Sequence, residues 1–281
     1  GQSIRRELQR DDFRRAEFIY AMKEITSVSN QLIVNLKKLK LKKYRKEQGL
    51  YLLEGRRLVT DALKLNAPVK TLLVLNSALD SFSEAVQIAE NANAEIIGVS
   101  QNIIDALSET LAPEGILAVA KTQELPVITG GPLIALDCIQ DPGNLGTIIR
   151  TCDAAGIGGV LLNQGCAELC NPKVVRSAMG SIFNVPVKTC ADLSRELNQL
   201  KKDGYVIAAA ALGGSPFYQT SLPQRTVLII GNEGNGISRE IISLADTVVT
   251  LPMRGGAQSL NASIAAGIMI YDICFNKRGN K

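Results

Sequence analysis

Residues 133–150 read LIALDCIQDPGNLGTIIR, and this stretch decides the fold. Leu133–Cys138 is a short, nearly continuous apolar run of strand type. Asp141-Pro142-Gly143 bends the chain, Asn144 is the expected helix cap, and Leu145–Ala155 continues at helical spacing. The same alternation runs on toward the C-terminus. Strands are expected at Gly159–Asn163, Val185–Thr189, Tyr205–Ala211, Thr226–Ile230 and Val248–Leu251. Helices are expected at Pro172–Gly180, Leu193–Asp203, Ser238–Ala245 and Leu260–Phe275. Such alternation implies an α/β domain whose mostly parallel sheet is covered on both faces. Ligands of such sheets sit outside the carboxyl ends of the strands, so the loops leaving those ends are where chemistry is sought.

Working upstream, Lys121–Pro132 (KTQELPVITGGP) carries two prolines and a Gly-Gly pair and reads as a linker over 123–132. Before it, apolar strands at Leu50–Leu53, Val69–Leu75, Glu95–Val99 and Ile116–Ala120 alternate with helical stretches, the pattern of a small α/β domain over 25–122. Residues 30–48 read as one helix, with Leu32, Leu36, Leu39 and Tyr44 near helical spacing and Gly49 as its stop. Residues 3–24 read as a charged helix within an N-terminal segment 1–24 of open role.

The 281 residues, 46% hydrophobic and 21% charged, suit a folded chain with a real core. No apolar run reaches membrane-spanning length, and the charged N-terminal residues lack the pattern of a signal peptide, so a cytoplasmic location is expected. There is no histidine, which excludes Ser-His-Asp and Cys-His catalysis and His-ligated metals. There is no tryptophan, and aromatics are 4%, which disfavours recognition through many stacked bases. Six scattered cysteines offer one close pair, Cys166 and Cys170, with nothing to complete a metal site; reduced thiols and no metal are expected. Residues 1–60 hold 15 Lys and Arg against 7 Asp and Glu, whereas the remainder hold 16 against 20. Basic charge gathered at one end suits a polyanion-binding surface, as well as a merely solubilising one.

Three strand-end loops stand out. The first, Gln140–Gly146, leads into a helix carrying Arg150 among apolar neighbours, where burying a guanidinium would require an anion. The second, Gly231-Asn232-Glu233-Gly234-Asn235-Gly236, has G-x-x-G-x-G spacing; this matches neither a dinucleotide fingerprint nor a P-loop, and leaves a close-approaching backbone with one carboxylate. In the third, Leu251–Ser263, Ser259 or Asn261 begins a helix whose first residues are small.

In this order the motifs N-x-G-x-x-x-R, I-I-G-N-E-G-x-G and L-P-M-x(5)-S-L-N-A-S resemble those of the SpoU-type RNA ribose methyltransferases of the SPOUT superfamily. The likeness covers residues 133–275. Leu53–Arg57 and Pro113–Ala118 look like the family's small substrate-binding domain. The resemblance implies a C-terminal domain, 133–281, with a trefoil knot, and transfer of a methyl group from S-adenosylmethionine to a ribose 2′-hydroxyl of RNA, with rRNA favoured over tRNA. It implies catalytic roles for Asn144, Arg150, Glu233, Ser259 and Asn261. Cofactor contacts are implied around Ala210, Gly231, Leu251, Met253 and Leu260, and a homodimer is implied as well. Phosphate contacts are expected from Lys37, Lys38, Lys42, Lys43, Arg45, Arg56 and Arg57. Arg150 is expected to hold the target phosphate and ribose, with proton removal shared by Ser259, water or a phosphate oxygen, since a guanidinium stays protonated. The rival from another class is a non-catalytic RNA-binding protein on the same scaffold. A nucleotide-dependent oxidoreductase is disfavoured by the glycine spacing.

Overall fold

The computed structural model describes residues 22–276, and the chain divides between Thr122 and Gln123 into two compact units. The first contains β1 (Lys23–Ile25), α1 (Gln31–Lys38), α2 (Lys42–Gln48), β2 (Leu50–Glu54), α3 (Arg56–Lys64), β3 (Val69–Leu75), α4 (Ser83–Asn91), β4 (Glu95–Val99), α5 (Gln101–Leu107) and β5 (Ile116–Lys121). Its sheet runs β1-β4-β3-β5-β2, with β1, β4 and β3 parallel and β5 antiparallel to both its neighbours. The helix expected over 3–24 lies outside the described residues up to position 21. Its end is corrected: Lys23–Ile25 is a strand along β4, with Ile25 buried in the core.

The single helix expected over 30–48 is also two. Leu39 is 1% exposed, drawn into the core with Ile33 and Leu36, and Leu41 is extended, so the chain bends between them. Arg45 then folds back, its Nη1 donating to the carbonyls of Leu39 and Lys40 at 2.8 Å each. These are carbonyls at the end of α1 that a continuous helix would have satisfied. Gly49, at φ 62°, ends α2 in the left-handed conformation, as its position predicts.

The second unit contains β6 (Leu133–Asp137), α6 (Pro142–Ala155), β7 (Val160–Leu162), α7 (Pro172–Ala178), β8 (Val187–Thr189), α8 (Leu193–Lys202), β9 (Val206–Pro216), β10 (Thr226–Gly231), α9 (Arg239–Ile242), β11 (Thr247–Thr250) and α10 (Ala262–Phe275). All six strands are parallel, in the order β11-β9-β10-β6-β7-β8. β6 is buried along its whole length, which is why its sequence shows no alternation. From β6 the chain builds outward through β7 and β8, then crosses to the other side, so the strand order reverses between β6 and β10. That reversal opens the crevice in which ligands of such sheets bind. After β11, at the sheet edge, residues 251–261 carry the chain back to α10, whose Gly267 faces Thr151 of α6. No described helix is long and apolar enough to cross a membrane.

The segment expected as a linker is partly docked on this unit. Ile128 N–H donates to Gly158 O at 2.9 Å, Gly130 N–H donates to the Tyr205 hydroxyl at 2.7 Å, and Val127 packs against the core. Helices α6 and α7 approach so closely that a Cβ on Gly146 would lie 2.6 Å from the Val174 carbonyl oxygen. Gly146→Ala should therefore destabilise the protein by about 1–3 kcal/mol, through overpacking that outweighs the helix propensity gained, read as a lower midpoint in thermal unfolding.

Asp246 pins the start of β9. Burial pushes its carboxyl up, but the Ile207 N–H at 2.8 Å and the Lys201 ammonium at 2.8 Å outweigh that and hold it below its ordinary value. A carboxylate lowered on folding stabilises at pH above its unfolded value and loses that contribution as pH falls through the folded one. Asp246→Asn should thus lower stability to urea at pH 7, and the difference from wild type should vanish in acid.

Candidate active site

The site is built at the carboxyl ends of β6 and β10. Asp141 caps α6, its side chain accepting the Asn144 N–H at 2.8 Å, with Pro142 in the first turn. This corrects the expectation that Asn144 is the cap. Relieved of capping, the Asn144 side chain donates through Nδ2 to Glu233 Oε1 at 2.6 Å and accepts Asn261 Nδ2 at 3.0 Å. Asn261 is the cap of α10, and its Oδ1 accepts Ser263 N–H at 2.9 Å and Ile264 N–H at 3.3 Å. The polarity of the chain follows from these caps. An Asn261 oxygen committed to amide hydrogens turns its NH₂ toward Asn144, whose own NH₂ must then meet an acceptor. Glu233 supplies one.

The second loop is closed on itself. Asn232 and Gly236 exchange both backbone hydrogen bonds at 3.0 Å, and Asn232 Oδ1 accepts the N–H groups of Gly234 and Asn235 at 2.9 and 3.0 Å. A Cβ on Gly231 would lie 2.4 Å from the Gly236 carbonyl carbon, so only glycine admits this turn. The glycines here serve loop closure, in keeping with spacing that matches no phosphate-binding motif. Asn232 Nδ2 also donates to Cys138 O at 2.9 Å, tying the loop to the end of β6.

Two expected members stand apart. Arg150 lies six residues beyond Asn144 on α6, roughly 120° around and 9 Å along the helix. Its side chain is exposed and makes no hydrogen bond or ion pair among the described residues, so the expectation of a buried guanidinium needing an anion is corrected. Ser259 is exposed and makes no hydrogen bond among the described residues. Asn144, Glu233 and Asn261 are brought together; Arg150 and Ser259 are not joined to them.

Gly231 ends β10, whereas Ala210 lies within β9, in register with Ile230. Leu251 is buried, Met253 half-buried and Leu260 38% exposed along the third loop. Among the described residues, no N–H of 251–260 donates to another backbone group. Unspent backbone donors beside apolar side chains suit a ligand with an aromatic base and polar edges.

Sequence reasoning missed Asp137 and Asn163. Asp137 is 2% exposed; its carboxylate accepts Ser238 N–H at 2.7 Å and the Asn163 side-chain amide. An aspartate closing the apolar run LIALD was the available signal, since a buried charge must be met. Ser238 stands at the N-cap of α9 without a side-chain capping bond, and gives its N–H to that carboxylate.

In the first unit the basic residues separate by role. Arg45 is 3% exposed and holds the α1 end, which corrects its reading as a phosphate contact. Arg56 lies over the Phe82 ring at 4.4 Å and donates to Ser81 O, while Lys38 and Lys43 flank Tyr44 at 5.7 and 5.8 Å. Lys37 is half-buried; Lys42 and Arg57 are exposed. Arg45→Ala should lower stability by about 1.5–3 kcal/mol, the usual worth of hydrogen bonds from a charged group, measured by urea unfolding.

Two family models match the chain. Residues 131–271 match the SpoU rRNA Methylase family, and residues 30–118 match the MRM3-like substrate binding domain. The chain is 36% identical over 258 residues to the 23S rRNA (guanosine(2553)-2′-O)-methyltransferase RlmP of Bacillus subtilis, covering 90% of this chain and 99% of that protein. It resembles the AdoMet-bound rRNA methyltransferase from Sinorhizobium meliloti with a TM-score of 0.81 at 29% identity, covering 92% of this chain and 99% of the other. It also resembles the SpoU methyltransferase AviRb from Streptomyces viridochromogenes in complex with AdoMet, with a TM-score of 0.80 at 27% identity, covering 88% and 98%.

Proposed function

This chain belongs to the SpoU rRNA methylase family, and on that premise we propose that it transfers a methyl group from S-adenosylmethionine to a ribose 2′-hydroxyl of large-subunit rRNA. The observation that carries the reading is the junction of Asn144, Glu233 and Asn261 at the crevice between β6 and β10. The 23S rRNA specificity named for the Bacillus subtilis relative makes the nucleotide matching guanosine 2553 the first target to try, with tRNA as the alternative substrate. The cytoplasm, where new rRNA would be met, is the proposed location.

S-adenosylmethionine supplies an already activated methyl group, so the protein's task is alignment. Leu251, Met253 and Leu260 offer apolar walls, with Ala210 and Gly231 beside them, and the backbone of 251–260 offers the polar edge. Glu233, held on one oxygen by Asn144, keeps the other for a ribose hydroxyl or a water. Arg150 holds the target phosphate and ribose, while Ser259, water or a phosphate oxygen takes the proton.

Because Arg150 points away from Asn144 along its own helix, we propose that it acts on the site of a second copy. Ile264, Ile268, Tyr271 and Phe275 support the pairing. They recur at spacings of four, three and four on α10 and are 55%, 36%, 47% and 64% exposed, an apolar stripe that a homodimer would bury. The return of the chain from the sheet edge at β11 to the centre at α10 supports the trefoil threading. The segments 25–122 and 133–281 serve as RNA-binding and catalytic domains in this reading.

The test is single-turnover methylation of an unmodified 23S rRNA transcript. Wild type should render one ribose resistant to alkali at its 3′ side, and a transcript with a 2′-deoxyribose at that nucleotide should stay unmethylated. Methyl groups on bases, or none at all with S-adenosylmethionine bound, would contradict the reading. Arg150→Lys should slow transfer by about a hundredfold with S-adenosylmethionine affinity retained, since a bidentate guanidinium contact is lost. Reversing Lys42 and Arg57 to glutamate should weaken RNA binding and flatten its salt dependence, with cofactor affinity unchanged.

A further inference from the structure

Beside the three asparagine and glutamate side chains of the site, a fourth polar side chain ties neighbouring strand ends together. Asn163 follows β7. Its Oδ1 accepts Cys138 N–H at 3.0 Å and Gly165 N–H at 3.1 Å, with the Cys166 sulfur at 3.4 Å. Its Nδ2 donates to the buried carboxylate of Asp137 and reaches the Cys138 sulfur at 3.3 Å.

Cys138 is the residue so held, and its backbone is left-handed at φ 58°. L-residues other than glycine, asparagine and aspartate rarely take this conformation, because Cβ crowds the following carbonyl. Asn163 grips both the N–H and the sulfur of this residue. Gly165 leaves room for the thiol, since a Cβ there would lie 2.5 Å from the sulfur. The turned peptide then presents the Cys138 carbonyl to Asn232 Nδ2 at 2.9 Å. Asn232 in turn folds the loop whose next residue, Glu233, meets Asn144.

We infer that Asn163 is a positioning residue for methyl transfer: by holding Cys138 in the left-handed conformation it fixes Asn232, and through Asn232 the direction in which Glu233 meets Asn144. The inference rests on the reaction proposed above. A purely packing role for Asn163 differs from it in one respect. Glycine occupies the left-handed region freely, so Cys138→Gly removes the need for the grip.

The experiment compares full-length variants in single-turnover methylation of the unmodified 23S rRNA transcript, with S-adenosylmethionine affinity measured by calorimetry. Asn163→Ala should slow transfer about tenfold at saturating substrates while the cofactor dissociation constant stays within about threefold. Adding Cys138→Gly should return the rate to within about threefold of wild type, because the glycine needs no restraint. A wild-type rate in Asn163→Ala, or a slow Asn163→Ala that the glycine fails to rescue, would overturn the inference. Should Asn163→Ala not fold, Cys138→Val carries the test: a β-branched residue resists this conformation, so the same loss of rate at retained cofactor affinity is expected, and an undiminished rate contradicts it. A wild-type chain inactive on this transcript would fault the rRNA reading alone. Amide exchange of Gly234 and Asn235 then decides the inference, expected faster in Asn163→Ala and restored by Cys138→Gly; unchanged exchange overturns it.

Discussion

The side-chain amide of Asn144 has one hydrogen-bonding direction for its oxygen and another for its nitrogen, and the site depends on both being taken by distant loops. Glu233 lies 89 residues away in the chain and Asn261 lies 117 away. The hydrogen bonds run one way, from the cap of α10 through Asn144 to a carboxylate. That direction is dictated at its start by helix capping, which commits the Asn261 oxygen, and completed by an acceptor-only group at its end. A single carboxamide thus converts three separate turns into one surface.

The scaffold makes this convergence inexpensive. The central parallel strands β6 and β10, buried almost throughout, fix where their carboxyl ends lie, and the reversal of strand order between them puts two of the loops side by side. Glycine is required at few places. Gly231 lets the stems of the second loop touch, and Gly146 lets α7 press against α6, the helix that carries Asn144 and Arg150. With no histidine in the chain, the side chains brought together at the site are two carboxamides and a carboxylate, a set suited to orienting groups around a donor that arrives already activated.

Much of this was legible in the sequence. Buried strands such as Leu133–Asp137 announce themselves as unbroken apolar runs, and Val69–Leu75 and Glu95–Val99 fall where the pattern puts them. The three loops were legible as strand-end motifs. What escaped was decided at long range. The break between α1 and α2 follows from core demand on Leu39 and from Arg45 folding back, and helical periodicity sees neither. Local turn rules allow either Asp141 or Asn144 as the cap of α6; Glu233 and Asn261, which occupy the Asn144 side chain, were needed to choose. Arg150 sat among apolar neighbours in sequence yet faces solvent, because a helix places adjacent residues about 100° apart. Asn163 carried only the signal of a turn residue, its oxygen accepting the Gly165 N–H two residues on, and nothing local pointed to its long-range role. Its partners, Cys138 and Asp137, are 25 and 26 residues away, and the strained backbone it restrains is invisible in a string of letters.

The most direct test of the central claim is a double-mutant cycle on the single-turnover rate of methyl transfer, pairing Asn144→Ala with Asn261→Ser. Serine preserves the cap of α10 while withdrawing the amide that reaches Asn144, so the second substitution probes the link and spares the helix. If the three loops act through the Asn144 side chain, the double variant should be no slower than the slower single variant, the signature of strongly coupled residues. Losses that multiply, as for two independent sites, would contradict the account.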